Sequence, residues 1–231
     1  MNRTRVKICG VCRGEDAAAA ARLGADAVGM VFHPPSPRNV SLESAEKIMA
    51  ALPAFVTPVG LFVDASLEDI VHVCRRLRIG YVQLHGQETP ETVARVIEQT
   101  GAFVFKAVRV DREALRAELD GWREASAHLA LDRLRGFVLE TAGGSAPGGT
   151  GLPNDWEAAR SFLDTGAFDG LPPIIAAGGL AAGNVAEVIR MLRPFAVDVS
   201  SGVEVVRGQK SAEKMAAFLL AVRGADMAEP E

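Results

Sequence analysis

DAVGMVF (26–32), HPPSPRNV (33–40) and SLESAEKIMA (41–50) follow one another without interruption and read as one strand, one loop and one helix. The first segment is a short apolar run of strand length. In the third, Ser41 can cap LESAEKIM, and Glu43 lies in the first turn, where the helix dipole favours negative charge. Ser44, three residues after the cap, rules out a full capping box. The same unit recurs along the chain. Strands are expected at 5–9, 26–32, 58–63, 79–84, 102–108, 136–140, 173–177 and 196–199. Helices are expected at 14–23, 42–52, 66–77, 90–100, 111–126, 155–164, 183–193 and 210–223, with Ser66 ahead of LEDI as a second clear cap. A strand followed by a helix followed by a strand demands parallel pairing, because a parallel crossover needs a dozen or more residues. Eight such units predict an α/β fold, a single-domain (β/α)8 TIM barrel with a parallel eight-stranded core. The rival is an open doubly wound sheet, disfavoured by the absence of an obvious edge strand or second domain. The barrel is expected over 1–223. Residues 224–231, ending in ADMAEPE, carry no apolar period and are expected to fray.

The chain has 231 residues, 48% hydrophobic and 23% charged, which suits one sizeable core. A formal net charge of −4 offers no global field for nucleic acid or an anionic membrane surface. No window reaches the roughly 18 uninterrupted apolar residues of a membrane span. The expected partner is therefore a small molecule, with no nucleic acid and no membrane. Cys9, Cys12 and Cys74 cannot all pair, and their spacing fits neither a disulfide framework nor a four-ligand zinc site. A reducing cytoplasmic setting is expected.

In a parallel barrel, chemistry gathers at the C-terminal strand ends. VKICG (6–10) puts Cys9 at the mouth end of the first strand, with Lys7 two residues back on the same face, where an ammonium could favour thiolate. The alternative is a buried packing thiol. Arg38, in the loop after strand two, offers a planar fork for carboxylate or phosphate. VQLHG ends strand four with His85, KAVRV places Arg109 after strand five, and FVLET ends strand six with Glu140. Three glycine-rich stretches, PGGTG (147–151), AAGGL (176–180) and VSSGVE (199–204), follow strands six, seven and eight. Backbone N–H groups of such loops can converge on an anion, and barrels often hold phosphate there.

Taken together, VKICG, GADAVGMVFHPPSPR, VGLFVD, VQLHG, KAVRV, GGTG, DW, AAGGL with NV, DVSSGVE and GQKS resemble the phosphoribosylanthranilate isomerases of tryptophan biosynthesis, collinearly from about residue 5 to 222. The resemblance implies an Amadori rearrangement of N-(5'-phosphoribosyl)anthranilate to the deoxyribulose 5-phosphate, without metal or cofactor, by a monomer or homodimer. It implies Cys9 as general base and an acid at the end of strand six. Arg38 is implied near the anthranilate carboxylate, His85 as a mouth-lining residue, Asp198 as a substrate contact, and Lys7 is counted with the substrate-binding residues. Gly178, Gly179, Ser200, Ser201 and Gly202 are implied to hold the phosphate, helped by Gly149, Thr150 and Gly151. Two positions depart from the family, the smaller at Asn154, where it usually has an aromatic before DW, and the larger at the acid. Its acid is an aspartate, whereas this chain has Glu140. Either Glu140 serves, or Asp132 does if HLALD is the strand, or the chain is a phosphosugar-binding barrel or related isomerase without this chemistry.

Overall fold

The computed structural model describes residues 3–111, 114–141 and 155–228. Eight parallel strands close into a barrel in chain order: β1 (Arg5–Ile8), β2 (Ala27–Val31), β3 (Thr57–Phe62), β4 (Tyr81–Leu84), β5 (Phe103–Val110), β6 (Leu134–Thr141), β7 (Ile174–Ala177) and β8 (Ala196–Val199). They alternate with α1 (Gly14–Leu23), α2 (Leu42–Ala51), α3 (Leu67–Leu77), α4 (Pro90–Thr100), α5 (Leu115–Ser126), α6 (Trp156–Asp164), α7 (Val185–Leu192) and α8 (Ala212–Met227). Closure comes from β1 pairing with β8, Lys7 standing opposite Asp198. The closed barrel excludes the open sheet.

Local chemistry sets the helix starts. The side chains of Ser41 and Ser66 accept the backbone N–H of Ser44 and Asp69, satisfying donors a helix cannot satisfy internally. Each helix then buries one stripe. In α3 that stripe is Ile70, Val73, Cys74 and Leu77, and burying each large aliphatic side chain is worth about 1.5–3 kcal/mol as an upper figure. Alternation along the strands divides the apolar residues into two shells. Val6, Ile8, Val28, Met30, Val82 and Leu84 join the layer between sheet and helices. The opposite faces contribute two separate clusters, Phe105 with Ala107, Val138, Ile175, Ala177 and Ala196, and Cys9 with Val31, Leu61 and Val63.

Two features differ from the sequence expectation. A short 3-10 turn, Ser201–Val203, leads into a hairpin of β9 (Glu204–Val206) and β10 (Gln209–Lys210), where a loop and a helix start at 210 were expected. The last helix runs to Met227, so residues 224–227 belong to it instead of fraying. Asp226 holds this end down, its carboxylate accepting the Thr4 N–H at 2.9 Å and the Thr4 hydroxyl at 2.7 Å. Among the described residues, no helix is long and apolar enough to cross a membrane.

Candidate active site

At the mouth ends of β1 and β8, Lys7 Nζ donates to Asp198 Oδ2 at 2.7 Å, both groups buried. Asp198 Oδ1 is buried without a partner among the described residues. Cys9 follows β1, its N–H donating to the Val199 carbonyl at 2.8 Å. The Lys7 ammonium, on the same face of the chain, lies beside its thiol. Gly29 in β2 makes room for both: a Cβ there would lie 3.0 Å from the Cys9 sulfur and 3.0 Å from Lys7 Nζ. The expectation of a thiol lowered by its ammonium neighbour is corrected. Burial is the largest influence and pushes the Cys9 thiol up, Lys7 pulls it down, Asp198 pushes it up again, and the net direction is upward. Burial thus favours the neutral thiol over the thiolate in the unliganded protein.

Across the mouth, His85 Nε2 lies 2.8 Å from Glu140 Oε2. The Gln83 side-chain amide meets His85 Nδ1 at 2.9 Å. With the amide N–H donating, Nδ1 accepts and Nε2 carries the proton toward Glu140. Gln83 is fully buried, and its Oε1 has no partner among the described residues. Burial works to raise the Glu140 carboxyl, but His85, by charge and hydrogen bond, together with Arg109 and Lys7, outweighs it and holds the group below the usual carboxylate range. The loop beside His85 is pinned by Lys106, which donates to the Gly86 and Ala107 carbonyls at 2.8 Å and pairs with buried Glu88 at 3.1 Å. His85 and Glu140 line a cavity of about 740 Å³ that continues past Lys106 and Arg109 toward Trp122. Asp132 lies in the exposed turn before β6, at the opposite end of that strand from Glu140. It is therefore excluded as the strand-six acid.

Lys7 ties the two halves together, because its ammonium acts on both the Cys9 thiol and the Glu140 carboxyl. Cys9 just after β1 and Glu140 near the end of β6 stand at the C-terminal rim of the same closed parallel barrel.

Beside them, β7 ends in Gly178 and Gly179, both at positive φ (91° and 63°), which L side chains rarely adopt. Asn184 staples that loop, donating to the Gly179 carbonyl at 2.9 Å and accepting the Ala181 N–H at 2.8 Å. Ser200, Ser201 and Gly202 follow β8. A Cβ at Gly202 would sit 2.0 Å from the Leu180 carbonyl oxygen, so only glycine lets the two loops close on each other. Gly149, Thr150 and Gly151 lie outside the described residues. Arg38 is buried rather than solvated. Its Nε and Nη2 donate to Glu204 Oε1 and Oε2, each at 2.8 Å. Among the described residues, no group of His, Cys, Asp and Glu side chains could hold a metal ion.

Residues 6–221 match the sequence family described as N-(5'-phosphoribosyl)anthranilate (PRA) isomerase. The chain belongs to this isomerase family. The N-(5'-phosphoribosyl)anthranilate isomerase of Pseudomonas putida (strain W619) is 44% identical over 225 residues, 97% of this chain and 100% of that protein. The phosphoribosyl anthranilate isomerase of Thermotoga maritima superposes with a TM-score of 0.81 at 35% identity, covering 96% of this chain and 99% of its own. A further solved phosphoribosyl anthranilate isomerase, in complex with reduced 1-(o-carboxyphenylamino)-1-deoxyribulose 5-phosphate, has a TM-score of 0.79 at 36% identity, covering 96% of this chain and 99% of its own.

Against this isomerase family background, three residues of the mouth were not assigned from sequence. Gln83 is a lone amide in the apolar strand YVQL, a signal that could have been noticed. Glu204 and Lys210 stand within VSSGVE and GQKS, motifs whose glycines and serines drew the attention instead.

Proposed function

We propose that the chain catalyses the Amadori rearrangement of N-(5'-phosphoribosyl)anthranilate to 1-(2-carboxyphenylamino)-1-deoxyribulose 5-phosphate in tryptophan biosynthesis, in the cytoplasm, as a monomer or homodimer. The observation that carries this reading is the shared mouth of the Cys9 thiol and the Glu140 carboxylate beside the glycine–serine cradle of β7 and β8.

The reaction moves protons and one ring bond. Glu140, once protonated, gives its proton to the furanose oxygen as the C1'–O bond breaks, and the nitrogen lone pair completes an iminium. Cys9 then removes the C2' proton. The C2'–H electrons form the C1'=C2' bond and neutralise the iminium, and the resulting enol tautomerises to the ketone. Because Glu140 is held below the usual carboxylate range in the free protein, it must first take up from solvent the proton that it delivers, while its contact with His85 Nε2 fixes its orientation. Because burial favours the neutral Cys9 thiol, it first releases its proton to solvent, a step that the adjacent iminium cation and Lys7 favour, and the thiolate is the base that takes the C2' proton. Asp198 Oδ1, without a partner among the described residues, suits a sugar hydroxyl, Gly178, Gly179, Ser200, Ser201 and Gly202 suit the phosphate, and Arg38 suits the anthranilate carboxylate.

Turnover of N-(5'-phosphoribosyl)anthranilate by the purified protein, together with rescue of a tryptophan auxotroph lacking this step, tests the reading. Tight binding of a phosphosugar with no conversion would replace it with a binding barrel. A second expectation follows from Lys7. Its charge favours the Cys9 thiolate, so Lys7→Met raises the thiol further, and the rising limb of kcat/KM against pH moves to higher pH. A limb that stays where it was removes Lys7 from this role.

A further inference from the structure

Arg38, Glu204 and Lys210 form a buried triad, with side chains 7%, 4% and 0% exposed. Arg38 spends Nε and Nη2 on the two Glu204 oxygens, and no partner for Nη1 is found among the described residues. Lys210 Nζ donates to Glu204 Oε1 at 2.9 Å and to the Ser200 carbonyl at 3.1 Å, with the Ser200 hydroxyl at 3.4 Å. The Gly208 N–H adds a contact to Glu204 Oε1 at 3.3 Å. Two cations thus share one carboxylate, and buried charge that lacks its counter-charge is costly. The arrangement is one anion short.

The triad also has a fixed place relative to the chemistry. Gly10, at φ +69°, lies where a Cβ would meet Arg38 Cδ at 2.4 Å and Ser200 Oγ at 3.0 Å. The arginine stem therefore crosses directly over the residue after Cys9, and its charge acts on the Cys9 thiol. A planar guanidinium held by two parallel bonds has one orientation.

We propose that Glu204, braced by Lys210, is a positioning residue that presents the remaining N–H groups of Arg38 to the substrate carboxylate and so gives the enzyme its selectivity for an aromatic amine that carries one. The proposal rests on the reading above that Arg38 meets that carboxylate. The ligand supplies the missing anion, and through Lys210 the same triad braces Ser200, so one buried network sets both anionic grips.

The test is the ratio of kcat/KM for N-(5'-phosphoribosyl)anthranilate over N-(5'-phosphoribosyl)aniline, which lacks the carboxylate. Both substrates are measured on one preparation, so any loss of folded protein cancels. Arg38→Met is expected to collapse the ratio. Glu204→Gln, which keeps the shape and removes the charge, is expected to lower it by roughly tenfold or more, the worth of a charged hydrogen bond. If Arg38→Met collapses the ratio while Glu204→Gln leaves it within about twofold of the parent, Glu204 is structural only and the proposal fails. If Arg38→Met itself keeps the ratio, Arg38 does not receive the carboxylate, and the proposal fails with the reading beneath it.

Discussion

Replacing Cys9 with alanine is expected to lower kcat on the order of a thousandfold, the usual worth of a positioned general base. KM should stay close to the parent value, because the thiol is used only once the iminium has formed, whereas phosphate and carboxylate grips act on the ground state as well. The fold should survive. Cys9 packs against Val31, Leu61 and Val63 in a small cluster apart from the main core, and losing one sulfur atom there costs about 1 kcal/mol, the ordinary size of a point-mutation effect. Steady-state kinetics beside a thermal melt separate these quantities. A variant that melts like the parent and turns over within about tenfold of it would show that the sulfur is packing and that another group takes the C2' proton.

The second large effect concerns Glu140. Glu140→Gln keeps the length of the side chain and a hydrogen bond to His85 but cannot cycle a proton, so kcat is expected to fall by about 10² to 10⁴. Glu140→Asp makes a subtler case, since it restores the residue that the family uses. In this chain His85 reaches the longer carboxylate at 2.8 Å, and shortening by one methylene withdraws it by roughly 1 Å, a displacement that can cost on the order of a hundredfold. The aspartate variant should therefore be slower than the parent, with its pH profile altered because His85 no longer holds the carboxyl down. Equal or faster turnover by Glu140→Asp would mean that the histidine contact does not set the acid.

The barrel was legible because its signals are local. Apolar runs of strand length, the caps at Ser41 and Ser66, and glycines after the late strands each declare themselves within a few residues. β8 was expected at 196–199 and lies there, and Lys7 and Cys9 share a face as the strand period requires. What escaped depends on partners far along the chain. Asp226 orders the end of α8 through Thr4, 222 positions away. Glu204 acquires its meaning from Arg38, 166 positions away, and no local pattern marks either carboxylate. The direction of the Cys9 shift escaped for a related reason. A lysine two residues back is visible in sequence, but the burial that outweighs it, and the Asp198 charge that opposes it, appear only once β1 and β8 are side by side. Asp132 was a plausible rival to Glu140 because HLALD resembles a strand. In the folded chain that stretch is the end of a helix connection, and the strand starts at Leu134.

The most direct measurement is the structure of this protein with reduced 1-(o-carboxyphenylamino)-1-deoxyribulose 5-phosphate bound. The account predicts the phosphate between Gly178–Gly179 and Ser200–Gly202, the Cys9 sulfur about 3–3.5 Å from C2', and the Glu140 carboxyl in hydrogen-bond reach of the ring-derived oxygen on the other side of the sugar. A ligand seated with its C2' beyond the reach of the Cys9 sulfur, or with Glu140 turned away toward His85 alone, would contradict it.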